Sequence, residues 1–266
     1  MSRYQDVVNN ALMLSNDKAM KTLHSGFRAN PERRFLPTKS DDNRSLKTDA
    51  LPGVKVHVLG PSRKRDVIRD MDPPKGKSFL RLRGVVDVQT GLPPPPFPAE
   101  FRHDNYTGTG SLPDNDLVEI QRAGSLTDLA VAVALDKAVN GTSLMLMLEI
   151  SGTFLLFPGD AQWGTWNAVM EDPEWKQLLE RIAFYKIGHH GSHNATPKDF
   201  VEAMIPKDIC AMASTLTRQV WPDIPKGLLL AGLAAKNVSI ARSDQPKKVG
   251  NAFQLDQGVI ETRIPL

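Results

Sequence analysis

The sequence predicts a layered α/β domain, and two observations support that prediction. Short apolar runs with the period of β-strands alternate with segments of helical spacing in the second half of the chain. Hydrophobic residues make up 41% of the 266 residues, which is enough to fill the core of a domain. We therefore divide the chain into residues 1–50, a helix and a polar connection, and residues 51–266, the α/β domain.

The composition argues against several classes of protein. A net charge of +3 is too small to indicate nucleic-acid binding by itself. Cys210 is the only cysteine, so an intramolecular disulfide and a cysteine metal cluster are excluded, and a reducing, cytoplasmic location is favoured. No segment approaches the roughly 20 apolar residues that cross a bilayer, so no membrane-spanning helix is expected.

The first half of the chain contains few regular elements. Residues 1–24 have apolar residues at helical spacing and predict a helix, followed by a polar connection up to residue 51. Residues 54–58 alternate between valine and a polar residue, which predicts a strand with one buried face. A helix is predicted over residues 62–71, and a Pro-rich surface excursion over about 72–115.

The second half has the regular alternation on which the fold class rests. A helix is predicted over residues 126–139, and two strands follow that are joined by a turn at Ser151-Gly152. The remaining predicted elements are helix 163–181, strand 183–187, helix 197–204, strand 208–212, helix 226–236, strand 238–241 and two strands that flank Gly258.

Acidic and imidazole side chains follow two of these apolar strands. Asp160 ends the segment "TFLLFPGD", and His189 and His190 follow "FYKIG". In α/β sheets, ligands collect at strand ends, and carboxylate and neutral imidazole are ligands that zinc accepts. These residues therefore form a candidate metal site.

Other interpretations of the same residues stay open. An aspartate after Pro-Gly commonly forms a turn or caps a helix, whereas adjacent imidazoles at a strand end have little structural use. Ser192 beside His193 can suggest a nucleophile and its base. Neighbours in sequence seldom have the required geometry, so a serine hydrolase is not favoured.

Four segments carry a resemblance to a known family. They are "LPGVKVHVLGP", "ALDKAVNGTSLMLMLEI", "LLFPGDAQWGTW" and "YKIGHHGSHNATP". Together they resemble the C-terminal portion of metallo-β-lactamase-fold hydrolases, in the bacterial group that shares the His-His-Gly-Ser motif with DNA-uptake competence proteins. The resemblance spans about residues 51–241 and implies a partial αββα sandwich and zinc-dependent hydrolysis.

The resemblance also implies roles for individual residues. Asp160 matches the aspartate that bridges two metal ions, and His189 matches a histidine that binds the second ion, with His190 as the alternative. The further candidates, for substrate contact, are Lys186, Ser192 and His193.

The sequence departs from the family in one important respect. The family's N-terminal half contains a His-x-His-x-Asp-His cluster, but His24, His57 and His103 are scattered and form no such cluster. A hydrolytic zinc ion needs three protein ligands and a water molecule. We therefore expect the isolated chain to bind zinc weakly and to be incomplete or inactive alone.

Three interpretations follow. In the first, the chain is the C-terminal half of a zinc hydrolase, completed by a separate N-terminal chain or by a homo-oligomer. In the second, it is a non-catalytic binding or interaction module derived from that fold. In the third, basic residues over 63–69 bind nucleic acid, but acidic residues interrupt them, which favours a solvated helix face.

Overall fold

A computed structural model of the chain describes residues 21–22, 34–37, 44–79, 140–216, 224–248 and 250–266. By its internal contacts the chain divides into two compact units, and almost all described residues belong to the unit formed by Arg28–Leu80 and Asp136–Leu266. The fold given below is that of this unit. The predicted helix over 126–139 and nearly all of the predicted helix over 1–24 and of the Pro-rich excursion lie outside the described residues.

A seven-stranded mixed sheet forms the centre of the unit, so the predicted α/β class is confirmed. Its strands are β1 Ser45–Lys47, β2 Val54–Gly60, β3 Met145–Ile150, β4 Thr153–Phe157, β5 Ile182–Lys186, β6 Cys210–Ala213 and β7 Ser239–Arg242. The spatial order follows the chain, with antiparallel pairing from β1 to β4 and parallel pairing from β4 to β7. A separate hairpin contains β8 Gln254–Asp256 and β9 Val259–Glu261.

The helices of the described residues are short. They are α1 Arg65–Arg69, α2 Trp163–Glu171, α3 Pro173–Leu179 and α4 Gly227–Ala234, with a 3₁₀ turn at His189–Gly191 and a π-helical turn at Phe200–Met204. No helix of the described residues is long and apolar enough to cross a membrane.

Several elements differ from the sequence predictions. The single helix predicted over 163–181 is broken at Asp172, because the side chain of Asp172 caps α3 and Pro173 has no amide proton to continue α2. The connection predicted before residue 51 contains β1, which pairs with β2. Backbone hydrogen bonds to a neighbouring strand stabilise this segment, and no local pattern reveals them.

Strand β2 also differs from the half-buried strand that alternation predicted. His57 is only 4% exposed, and its Nε2 lies 2.7 Å from Glu149 Oε2 on β3. Its ring also packs edge-on against Trp175, at 5.9 Å between centroids. Because β2 lies between β1 and β3 and His57 has a partner, a polar side chain is tolerated in the core.

Large aromatic side chains fill the core between the sheet and the helices. Tyr185 of β5 packs edge-on against Trp166 of α2, at 6.5 Å, and against Phe200, at 5.3 Å. Trp163, Trp166 and Trp175 are all buried, so these three tryptophans belong to the core. Trp221 lies outside the described residues. This core holds the parallel strands in place, and their carboxyl ends meet at one edge of the sheet.

Candidate functional site

Two turns meet at that edge, after the neighbouring parallel strands β4 and β5. The first is Pro158-Gly159-Asp160, and the second begins at Gly188-His189. The backbone amide of His189 donates a hydrogen bond to the carbonyl oxygen of Gly159, at 3.1 Å. The fold therefore brings the turn that carries Asp160 into contact with the turn that carries His189.

The close approach of the two turns depends on Gly188. A Cβ atom at this position would lie 3.1 Å from the carbonyl oxygen of Gly159 and 3.2 Å from Cγ of Pro158. It would also lie 3.0 Å from the carbonyl oxygen of Ala195. These distances are tighter than ordinary contacts, so any side chain here would press the two turns apart.

The histidine turn has an unusual backbone. His189 and His190 have φ angles of 41° and 56°, and Gly191 follows at 84°. For a non-glycine residue, this left-handed conformation costs roughly 1–2 kcal/mol of conformational free energy relative to the right-handed one. Such strain persists only where the surroundings enforce it, and it concentrates at functional sites.

The two imidazoles have different environments. His189 is half-buried, and its Nδ1 is buried without a hydrogen-bond partner among the described residues. His190 is exposed, and its Nδ1 lies 2.6 Å from the carbonyl oxygen of Ser214. A carbonyl only accepts, so Nδ1 of His190 carries the proton, which leaves Nε2 of the neutral ring with a free lone pair. A carbonyl that orients an imidazole in this way is typical of metal-binding histidines.

Asp160 and Lys186 place opposite charges at the same edge. Burial of the Lys186 ammonium lowers the pKa of that group below its ordinary value, and the negative charge of Asp160 opposes this effect. Among the described residues, neither group takes part in an ion pair within 4.0 Å. The hydrogen bond of Lys186 Nζ is a long one, 3.4 Å to the carbonyl oxygen of Ile187.

The described residues do not complete a zinc site. In this part of the chain, no group of three or more His, Cys, Asp or Glu side chains is placed to hold a metal ion. Asp160, His189 and His190 are donors of the right chemical kind, but a hydrolytic zinc ion needs three protein ligands in one group. Their assignment as metal ligands therefore stays a prediction.

The predicted substrate contacts lie just beyond the histidines. Ser192 is 6% exposed, and its hydroxyl donates to Oδ1 of Asn194 at 2.9 Å. His193 is half-buried. The hydroxyl of Ser192 is thus already engaged inside the protein, and a role of either residue in substrate contact stays a prediction.

Sequence reasoning missed a set of polar groups after β6 and β7. The amide of Thr215 donates to Ser243 Oγ at 2.8 Å, and that hydroxyl donates back to the carbonyl oxygen of Thr215 at 2.7 Å. The preceding residue, Ser214, orients His190. Asp160 was identified as a polar residue shortly after an apolar strand, and Ser214 and Ser243 follow β6 and β7 in the same way.

A pocket of about 260 Å³ lies at the same edge, after β5, β6 and β7. We call it the β5–β7 pocket. The described residues that line it include Lys186, Met212, Ser214, Ala241, Ser243 and Ile260. The pocket is therefore next to the histidine turn, because Ser214 both lines the pocket and contacts His190.

Comparisons of the chain with protein-family models, with curated proteins and with solved structures found no match. The family suggested by the sequence motifs therefore has no support from these comparisons. What the chain can do must be argued from the geometry at the edge of its sheet.

Proposed function

We propose that this chain is the C-terminal half of a zinc-dependent hydrolase of the metallo-β-lactamase superfamily. It supplies one side of a hydrolytic site, and a separate N-terminal chain or a second copy of this chain supplies the remaining ligands. The hydrogen bond from the His189 amide to the Gly159 carbonyl carries this proposal. It holds the two turns that the motifs single out side by side at the carboxyl ends of parallel strands.

The sheet supports the finer fold, a partial αββα sandwich. In such a sandwich, helices cover the outer face of each sheet, and the inner faces of the two sheets pack together. Leu148 of β3 and Leu155 of β4 pair across the sheet, and both are only half-buried. Apolar residues at that degree of exposure are consistent with the inner face of a sandwich.

In this proposal, each residue of the site would have a separate role. Asp160 and either His189 or His190 would hold the metal, which supplies a water molecule activated for attack when it is bound. The carbonyl oxygen of Ser214 holds the ring of His190 in one tautomer and one orientation. Gly188, which leaves room for the close approach of the two turns, would allow both to reach the same ion.

Zinc retention tests this assignment. We expect the purified chain, dialysed against a low zinc concentration, to retain well under one zinc ion per chain. The Asp160→Asn and His189→Gln variants should retain less than the unchanged chain. Asp256→Asn, on the exposed β8 strand, is the matched control and should retain the same amount as the unchanged chain.

Two results would contradict the proposal. Equal retention by Asp160→Asn and the unchanged chain would remove Asp160 from the site. Two tightly bound ions per unchanged chain would mean that no separate N-terminal chain is needed to complete the site.

A second candidate function is a non-catalytic binding module derived from the same fold. It is favoured by the lack of a three-ligand group among the described residues. Under this alternative, zinc uptake would not depend on Asp160, His189 or His190. The retention experiment therefore separates the two functions.

A further inference from the structure

The β5–β7 pocket has a composition that indicates a particular kind of ligand. Most of its described wall is apolar and includes Met212, Ala241 and Ile260. At about 260 Å³ it is slightly smaller than the roughly 300–1,000 Å³ typical of sites for drug-sized ligands. A small molecule with an apolar body fits this space.

Lys186 supplies the charge of the pocket. It is the one basic residue among the described residues that line the pocket. An ammonium group has three protons to donate, and here a single long hydrogen bond, 3.4 Å to the carbonyl oxygen of Ile187, uses one of them. The negative charge of Asp160 already acts on this half-buried ammonium group, but its unused donors favour a further negatively charged partner in the pocket.

The neighbouring polar groups limit the charge that the partner can carry. The hydroxyl of Ser243 already exchanges two hydrogen bonds with the backbone of Thr215. The carbonyl of Ser214 accepts from His190 and repels an anion. Phosphate sites usually combine several amide or guanidinium donors, whereas one ammonium group matches a single carboxylate.

We propose that the β5–β7 pocket binds a small organic carboxylate. Its carboxylate group contacts the ammonium group of Lys186, and its apolar body packs against Met212 and Ile260. This site goes beyond the proposed hydrolytic function, because it requires neither a metal ion nor a second chain.

Methionine methyl signals in nuclear magnetic resonance spectra test the proposal. The full chain is labelled with ¹³C at its methionine methyl groups and titrated with benzoate in the presence of a metal chelator. We expect a saturable shift of the Met212 signal, assigned with a Met212→Leu variant. Met147, fully buried in the core, serves as the internal control and should not shift.

Variants and other probes make the test specific. Lys186→Gln should weaken benzoate binding about tenfold or more, since a charged hydrogen bond is lost. Lys176→Gln, on the exposed side of α3, should bind benzoate as the unchanged chain does. Benzyl alcohol, the neutral counterpart of benzoate, should produce a much smaller shift. If Lys186→Gln does not fold, Lys186→Met, which retains the apolar stem, takes its place.

Three outcomes would overturn the proposal. They are no shift of Met212 with benzoate, equal binding by the Lys186 variants and the unchanged chain, and a shift with inorganic phosphate but not with benzoate. Because the chelator removes zinc, failure here leaves the hydrolase proposal intact. Likewise, a failed zinc experiment leaves the carboxylate site intact.

Discussion

At the scale of the residue, Gly191 shows how strictly the histidine turn is constrained. Its φ angle is 84°, and a Cβ atom there would lie 2.6 Å from Cβ of Pro225. We expect Gly191→Ala to lower the free energy of unfolding by about 2–5 kcal/mol, because backbone strain and overpacking both contribute. Urea denaturation of the two proteins measures this difference.

Gly152 offers the matched control for this substitution. Its φ angle is 83°, but a Cβ atom there would meet nothing within 4 Å. Gly152→Ala should therefore lower the free energy of unfolding through backbone strain alone, by about 1–2 kcal/mol. Equal losses at the two positions would mean that contact with Pro225 is unimportant for the turn.

A second prediction at this scale concerns acid stability. The hydrogen bond from His57 holds the pKa of Glu149 below its ordinary value of 4.5; burial opposes the shift and Lys55 assists it. A carboxylate whose pKa is lowered by folding stabilises the fold above about pH 4.5, and this contribution is lost as the pH falls through the lowered value.

Glu149→Gln removes this titration. The free energy of unfolding of the variant should therefore fall less steeply than that of the unchanged protein below about pH 4.5. Urea denaturation at a series of pH values measures both slopes. Identical slopes would show that the pair of His57 and Glu149 contributes nothing to acid stability.

At the scale of the element, α3 depends on its capping residue. The side chain of Asp172 accepts hydrogen bonds from the amides of Glu174 and Trp175, at 3.0 and 3.3 Å, and pairs with Arg44. Asp172→Ala should lower the free energy of unfolding by about 1 kcal/mol through loss of the cap. Asp172→Asn retains a capping oxygen, so its free energy of unfolding should fall less than that of Asp172→Ala. The partly exposed ion pair with Arg44 contributes little to stability. Thermal unfolding of both variants tests this order, and a larger loss for Asn would contradict it.

The elements that the sequence predicts best are those whose signal is local. The sequence predicts strands β3 and β4 because their apolar runs are dense and Ser151-Gly152 forms the turn between them. Strand β1 was missed because only its pairing with β2 makes it a strand. The sequence has Asp-Pro at residues 172–173, which favours a helix start there. The helical periodicity on both sides nevertheless predicts one continuous helix.

At the candidate site too, the sequence predicts features with a local signal and does not predict contacts between distant residues. Asp160 and His189 each follow an apolar strand, so the sequence suggested them separately, and the parallel pairing of β4 and β5 places their turns together. The contact of His190 with Ser214 depends on how β5 and β6 pair, and these residues are 24 positions apart. The spacing of residues along the sequence does not predict a contact that depends on the pairing of distant strands.

At the scale of the whole molecule, zinc links the site to the stability of the fold. An ion that binds only the folded chain raises the free energy of unfolding by RT ln(1 + [L]/Kd), about 2.7 kcal/mol at one hundred times Kd. Because the described residues contain no three-ligand group, Kd of the isolated chain should be high. Micromolar zinc should then raise its free energy of unfolding by less than about 0.5 kcal/mol.

Asp160→Ala distinguishes a metal ligand from a structural residue in the same measurement. The residue at the N-cap of α2 is Gln162, so Asp160 does not cap that helix. Without zinc, the half-buried Asp160 should contribute only its weak attraction to Lys186, so the variant should unfold within about 1 kcal/mol of the unchanged protein. With millimolar zinc, the unchanged chain should gain stability and the variant should not. A large loss without zinc would instead assign Asp160 to the structure of its turn, and an equal gain for both proteins would place the zinc elsewhere on the chain.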